Sequence, residues 1–120
     1  MVALRYAIGI NGTNFVAVTK LDVLDKEPVV KICTSYRLNG QACEHFPSDL
    51  DTLSACEPQC EEMPGWLEDT TGAKTIADLP TAARAYLARV EELLGVPARI
   101  VSVGNERKQT IFAEGGTLFA

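Results

Sequence analysis

A stretch with helical periodicity, followed at once by a short apolar run, is the feature that most constrains the fold. Over residues 79–94 the apolar positions recur at helical spacing: Leu79, Ala83, Tyr86, Leu87, Val90 and Leu94. Asp78 is predicted to cap this helix, and Gly95 to end it. The run at residues 98–103 then predicts a buried strand. A helix followed by a strand is half of a crossover unit, so an α/β fold with a parallel pair of strands is expected.

Earlier segments supply the strands for such a sheet. Residues 2–10 are predicted to form the last turns of a helix that ends at Gly12, so we expect the chain to begin inside an element. The continuous apolar run at residues 15–18 indicates a strand covered on both faces. Residues 29–36 alternate and predict a second strand, and the Asn39-Gly40 pair then predicts a hairpin turn.

Periodicity fades over residues 44–74, which we interpret as a long connection containing one short helix. That helix is expected at residues 48–56, with Ser48 as its cap and with Leu50 and Leu53 anchoring it. Trp66 is favoured as a hydrophobic plug that pins the connection to the core, over a ligand-stacking function.

Length and charge exclude several function classes. The 120 residues fit one modest domain. A net charge of −5 with no basic stripe argues against nucleic acid or an anionic membrane as a partner. The N-terminal residues lack the layout of a signal peptide, and no apolar run approaches the ~20 residues that span a bilayer. The sequence therefore predicts a soluble, cytoplasmic protein.

Four cysteines raise the question of disulfides or zinc, since His45 lies two residues after Cys43. Cys33 lies inside a predicted strand, and only Cys56 and Cys60 are close in sequence. Structural zinc sites usually place paired ligands at two separate positions. We therefore predict reduced thiols and no metal site.

The stretch from Thr19 to Asp25 follows the first predicted strand and contains a candidate site for guanine. The stem of Lys20 can lie along a purine ring while the carboxylate of Asp22 accepts from two donors on the ring edge, a pair that adenine lacks. Ligands bind at the carboxyl ends of strands in open α/β sheets, which favours this interpretation. The alternative is a strand end followed by a solvated turn.

A second candidate segment, Ser102-Val103-Gly104, ends the strand after the long helix. If that strand runs parallel to the first, its end lies beside Lys20 and Asp22. Gly104 would let the backbone approach a flat ligand, and amides or the hydroxyl near Ser102 could reach a purine carbonyl. An ordinary strand-to-loop turn is the alternative.

Taken in order, these segments resemble the C-terminal part of adenylosuccinate synthetases over residues 2–111. So many short matches in the family's order make the resemblance highly specific. The residues that carry it are Ala3-Leu4-Arg5-Tyr6-Ala7, Thr19-Lys20-Leu21-Asp22-Val23-Leu24-Asp25, Met63-Pro64-Gly65-Trp66, Asp78-Leu79-Pro80, Ala83-Arg84-Ala85-Tyr86, Glu91-Glu92-Leu93-Leu94-Gly95-Val96-Pro97, Ser102-Val103-Gly104 and Gln109-Thr110-Ile111.

The resemblance implies a fold and an activity. The fold is the C-terminal part of a mostly parallel, P-loop-like sheet flanked by helices, in an incomplete domain: residues 1–111 form the region that contains the guanine-binding segments, and 112–120 form a tail. Thr110, Ile111 and Phe112 are expected to pack and the last residues to fray. Members of the family are cytoplasmic and usually homodimeric. They join inosine monophosphate (IMP) to L-aspartate with GTP and magnesium.

The resemblance also assigns residues. It implies that Lys20, Leu21 and Asp22, with Ser102, Val103 and Gly104, hold the guanine of GTP. The family's phosphate loop, magnesium carboxylate, general base and histidine lie near its N-terminus, and nothing here matches them. The arginine-bearing loop for IMP and aspartate lies upstream of the matching part. No catalytic residue and no metal ligand is therefore expected here, and the missing N-terminal part becomes an expected partner.

Two departures from the family's pattern concern local rigidity. Gly9 stands at a helical position where a larger residue is usual, and Asn105 replaces the proline that commonly follows the glycine.

Three hypotheses follow. The chain is the guanine-binding portion of a GTP-dependent ligase and is inactive alone, or it is a free-standing nucleotide-binding module of the GTPase type, or it is an inert fragment. The absence of a phosphate loop counts against the second, because most nucleotide affinity comes from phosphates.

Overall fold

A computed structural model of the chain describes residues 1–113. The described residues form three α-helices, six strands and three short 3-10 turns. The helices are α1 (Val2–Asn11), α2 (Leu50–Ala55) and α3 (Thr81–Leu94), and the turns are Leu21–Leu24, Ile76–Asp78 and Arg107–Gln109. The strands are β1 (Val16–Val18), β2 (Val29–Leu38), β3 (Gln41–Cys43), β4 (Glu57–Pro64), β5 (Ala98–Ser102) and β6 (Thr110–Phe112).

The first sheet has the strand order β1-β5-β6 and contains the predicted parallel pair. β1 runs parallel to β5, with Val16 opposite Ala98 and Val18 opposite Val101. α3 leads directly into β5, so the predicted helix-to-strand unit is confirmed. β6 pairs with the other side of β5 in the antiparallel sense. Because β1 and β5 run parallel, both strands end at the same edge of the sheet.

The second sheet has the order β3-β2-β4 and is antiparallel throughout. The predicted turn between β2 and β3 is confirmed, with Asn39 at φ 51° and Gly40 at φ 79°. These left-handed values suit a two-residue hairpin. The α/β class is confirmed, but the described sheets are mixed. Among residues 1–113, β1 and β5 form the one parallel pair, and the other paired strands are antiparallel.

β4 is a strand, although the sequence predicts an irregular connection over these residues. It runs antiparallel to nearly the whole of β2, from Val29 opposite Pro64 to Arg37 opposite Glu57. Its side chains are mostly polar and show no apolar alternation, and none of its residues is buried. Its stability comes from backbone pairing to β2, which local composition does not reveal.

α3 places its apolar stripe in the core, as predicted. Ala83, Leu87, Val90 and Leu94 are buried along the helix, and Gly95 ends it with φ 71°. The predicted cap is wrong, because Pro80 occupies the N-cap position. Asp78 is instead the last residue of the preceding 3-10 turn and accepts hydrogen bonds from the amides of Lys74 (3.0 Å) and Thr75 (2.8 Å), just before that turn. These amides lower the pKa of the Asp78 carboxyl.

The flanking segments differ from expectation in exposure. β1 was expected to be covered on both faces, but Ala17 is exposed because β1 lies at the edge of the described sheet. α2 exists within the predicted range, yet Asp49 caps it by accepting from the Thr52 amide (2.8 Å), in place of Ser48. Leu50 is 78% exposed and does not anchor the helix.

Two further expectations are confirmed. α1 ends at Gly12, which has φ 59°. Trp66 is a buried plug, 5% exposed, in the main core. The expected packing of residues 110–112 holds for Ile111, which is buried in β6, and is wrong for Phe112, which is 68% exposed. The expected fraying of the last residues concerns positions 114–120, which lie outside the described residues. Within residues 1–113 the longest apolar helical stretch falls short of what a membrane crossing requires.

Candidate functional site

The two candidate segments meet at the edge of the sheet where β1 and β5 end. Leu21 and Val103, the middle residues of the two segments, are buried in the same core cluster, with exposures of 2% and 0%. This shared anchorage fixes the polar neighbours on either side. Lys20, Asp22, Ser102 and Gly104 therefore come together as the sequence predicted.

A direct hydrogen bond joins the two segments. The amide of Lys20 donates to Ser102 Oγ at 2.8 Å. Lys20 has φ 58° and ψ 47°, a left-handed conformation that is uncommon outside glycine. Strained backbone of this kind persists where the surrounding contacts fix it and is frequent at functional sites. In this conformation the Lys20 amide points towards the end of β5.

Asp22 combines one satisfied and one unsatisfied oxygen. Its Oδ2 accepts from Lys20 Nζ at 2.8 Å, and the side chains of Lys20 and Asp22 are 45% and 16% exposed. Its Oδ1 is buried and has no hydrogen-bond partner. A buried acceptor without a donor costs about 1–3 kcal/mol. The N1–H and 2-amino group of guanine are two adjacent donors of the kind that this carboxylate lacks, whereas adenine presents no such pair.

Gly104 lies against Gln109. A Cβ at position 104 would overlap the Gln109 side-chain amide. The Val103 amide donates to the Gln109 carbonyl at 2.8 Å, and Gln109 Oε1 accepts from the Glu106 amide at 3.1 Å. The glycine predicted to admit a flat ligand thus also accommodates a neighbouring side chain of the protein.

Asp25 is a further polar residue at the site, and sequence reasoning assigned it no separate contacts. Its carboxylate accepts from Trp66 Nε1 at 2.7 Å, from the Thr70 amide at 2.8 Å and from Thr70 Oγ1 at 2.9 Å. Thr70 is 1% exposed. In the sequence it lies in the polar run Asp69-Thr70-Thr71, which is typical of a solvated turn, so no local pattern indicates its burial.

An open groove of about 600 Å³ lies beside Asp22. Its lining residues are Asp22, Val23, Asp25, Lys26, Leu67, Glu68, Asp69 and Thr71. Val23 and Leu67 are each 63% exposed and supply apolar surface next to the carboxylates. The Thr71 hydrogen bonds lower the pKa of Asp69.

The cysteines lie apart from this site. Cys33 and Cys60 face each other across β2 and β4, and all four cysteines are free thiols. Among residues 1–113 no three histidine, cysteine or acidic side chains are grouped so that they could hold a metal ion.

Known proteins match this chain over nearly its whole described length. The family described as adenylosuccinate synthetase matches residues 1–111. Adenylosuccinate synthetases of Heliobacterium modesticaldum and Syntrophomonas wolfei are 52% and 54% identical over 110 residues, which is 92% of this chain and 26% of each relative. This chain therefore spans about a quarter of the length of those relatives.

A solved structure agrees with the sequence matches. The fully ligated adenylosuccinate synthetase of Plasmodium falciparum superposes with a TM-score of 0.85 at 28% identity, covering 90% of this chain and 26% of that one. None of these findings supports the alternative of a free-standing GTPase-type module. With both the sequence and the fold in agreement, the chain belongs to the adenylosuccinate synthetase family.

Proposed function

We propose that this chain supplies the guanine-recognition part of the GTP site of an adenylosuccinate synthetase. The residues assigned to the base are Lys20, Leu21 and Asp22 from one segment and Ser102, Val103 and Gly104 from the other. The observation that carries the proposal is the buried, unpartnered Oδ1 of Asp22, next to the hydrogen bond that joins Lys20 to Ser102. A guanine edge would supply the missing donors.

Each segment has a distinct function in this proposal. The carboxylate of Asp22 accepts from N1–H and the 2-amino group. The stem of Lys20 lies along the ring, while its ammonium orients the Asp22 carboxylate through their 2.8 Å ion pair. Backbone amides around Ser102 and Gly104 donate towards the purine carbonyl. Leu21 and Val103 contribute by burial and keep the two segments in register.

The whole enzyme, in this proposal, is a carbon–nitrogen ligase that joins IMP to L-aspartate with GTP, on the route to AMP. Family membership supports that activity. Magnesium, when bound, would supply charge neutralisation at the phosphates of GTP. We assign its ligands and the catalytic residues to the part of the relatives' length that this chain does not match. A cytoplasmic homodimer, with no nucleic-acid or membrane partner, completes the proposal.

Titration of the chain with nucleotides tests the guanine site. GDP should bind at least about tenfold more tightly than ADP, because adenine leaves the Asp22 carboxylate without its paired donors. In Asp22→Asn the amide presents one acceptor and one donor. That variant should lose its preference for GDP and gain one for xanthosine diphosphate, whose 2-oxo group accepts from the new amide.

Asp51→Asn, the same change at an exposed position in α2, is the matched control and should leave the nucleotide preference unchanged. Equal affinity for GDP and ADP, or no measurable binding of either at millimolar concentration, would contradict the proposal and favour an inert fragment. Synthesis of adenylosuccinate by this chain alone would contradict the assignment of the chemistry to other residues.

A further inference from the structure

We propose that Asp25 and Thr70 are positioning residues for guanine recognition, and that the connecting segment, residues 66–71, fixes both halves of the guanine site. The inference rests on the proposed function, since it concerns how Asp22 is held for the base. Asp25 and Thr70 themselves have no assigned contact with the nucleotide in this proposal.

Asp25 is coupled to Asp22 through one tight turn. The Asp25 amide donates to the Asp22 carbonyl at 3.2 Å, and the Val23 amide donates to the Lys20 carbonyl at 3.2 Å. The backbone of this turn cannot shift freely, because Leu21 at its start is buried in the core. Movement of Asp25 therefore changes the direction in which the Asp22 carboxylate points.

The connecting segment anchors Asp25 from a distant part of the sequence. Trp66 Nε1 and the amide and hydroxyl of Thr70 all donate to its carboxylate, at 2.7, 2.8 and 2.9 Å. Both donor residues are at least nine-tenths buried, with exposures of 5% and 1%. Buried hydrogen bonds to a carboxylate are short and directional. They place Asp25, and with it the turn, in one orientation.

The same segment also contacts the second half of the site. Gln109 Nε2 donates to the Thr71 carbonyl at 3.3 Å, while the Gln109 side chain packs where Gly104 has no Cβ. Residues 66–71 thus touch Asp25 on one side and the Gly104–Gln109 contact on the other. They also form part of the wall of the groove beside Asp22.

The backbone of the connecting segment is itself held in an uncommon conformation. Leu67 has φ 50°, which non-glycine residues adopt only where their surroundings impose it. Just before it, the Gly65 amide donates to the Pro28 carbonyl at 2.9 Å. The segment is thus held at its start by these features and at its end by the hydrogen bond from Gln109 Nε2 to the Thr71 carbonyl, which suits it to setting the position of neighbouring groups.

The test compares GDP with inosine diphosphate, which differ only in the 2-amino group that Asp22 would accept from. Thr70→Val keeps the shape of the side chain and removes the hydroxyl donor. It should lower the ratio of GDP to inosine diphosphate affinity by about threefold or more, while Thr70→Ser should retain the wild-type ratio. Trp66→Phe removes a different donor to Asp25 and should change the ratio in the same direction.

Thr52→Val in α2 is the matched control and should leave the ratio of GDP to inosine diphosphate affinity unchanged. A folded Thr70→Val protein that keeps the wild-type ratio, or that loses both affinities equally, would overturn the inference. If that variant does not fold, the affinity ratio of Trp66→Phe and NMR of the wild type test the inference in its place. GDP should then shift the Thr70 amide and Trp66 Nε1 resonances more than inosine diphosphate does, and equal shifts would overturn the inference. Absence of any GDP preference in the wild type would instead refute the proposed function.

Discussion

The amide of Lys20 donates a 2.8 Å hydrogen bond to Ser102 Oγ, joining two segments that are 82 positions apart in the sequence. The two parallel strands β1 and β5 bring these segments to one edge, and their buried middle residues share a core cluster. A small polar site is thereby built on rigid elements. Such support is what base discrimination needs, because a misplaced carboxylate would accept from either purine poorly.

Replacing Ser102 by alanine should weaken the junction between the two segments. The Lys20 amide loses its acceptor, and because this bond is exposed, water can partly replace it. We expect a loss of about 0.5–1.5 kcal/mol in the free energy of unfolding, measured by urea denaturation. GDP affinity should fall about three- to tenfold.

Ser54→Ala is a suitable comparison for that variant. Ser54 Oγ also makes a backbone hydrogen bond, to the Leu50 carbonyl at 2.7 Å, but in the exposed helix α2. It should leave GDP affinity unchanged. If both alanine variants bind GDP equally well, the Ser102 hydroxyl does not organise the site.

The sequence predicts well those elements whose stability is local or whose apolar pattern is strong. α3 and β5 follow from the periodicity of Leu87, Val90 and their neighbours, and the hairpin follows from Asn39-Gly40. The two candidate segments for guanine are indicated by short polar motifs at strand ends, whose chemistry is recognisable in the sequence. The sequence also predicts that the two segments lie side by side, because a helix followed by a strand implies parallel pairing with an earlier strand.

What the sequence does not reveal depends on distant partners. β4 has no apolar alternation, and its pairing with β2 across a long connection is a non-local property. Thr70 lies in a polar run and is nevertheless buried, because the carboxylate of Asp25 satisfies its hydroxyl and amide. A buried polar pair of this kind becomes visible only when both partners are placed in three dimensions.

Gly65→Ala should be strongly destabilising. A Cβ at this position would overlap the backbone carbonyl of Glu27, which cannot move aside as a flexible side chain would. We expect a loss of about 1–3 kcal/mol, measured by urea unfolding. Gly72→Ala is the matched control, because a Cβ there meets nothing within 4 Å. Its effect should stay within about 1 kcal/mol and can be stabilising. Similar losses in both variants would contradict this account.

Acidification should weaken the link between α3 and β4. Arg89 donates to both carboxylate oxygens of Glu61, at 2.7 and 2.8 Å, and these hydrogen bonds lower the pKa of Glu61. Because the folded-state pKa lies below the unfolded one, the contribution to stability is present above about pH 4.5. It is lost as the pH falls through the folded-state value.

Urea midpoints at neutral and acidic pH check this expectation. Glu61→Gln removes the titrating group, so that variant should lose less stability on acidification than the wild type. Arg89→Met should reduce the pH dependence in the same way, and the double variant should add little to either change. Identical pH dependence in the wild type and Glu61→Gln would show that other groups dominate.

The packing of α3 against the sheet can be tested at Leu87, which is fully buried in the core cluster that also contains Leu21 and Val103. Leu87→Ala should lower the free energy of unfolding by about 2–5 kcal/mol through lost burial and the cavity left behind. Leu50→Ala, at a position 78% exposed, should change it by no more than about 0.5 kcal/mol. Because Leu87 belongs to the cluster that anchors both candidate segments, its truncation should also weaken the proposed GDP binding, measured by titration at a temperature where the variant is folded. An unfolding free energy equal to that of Leu50→Ala would show that α3 does not support the site.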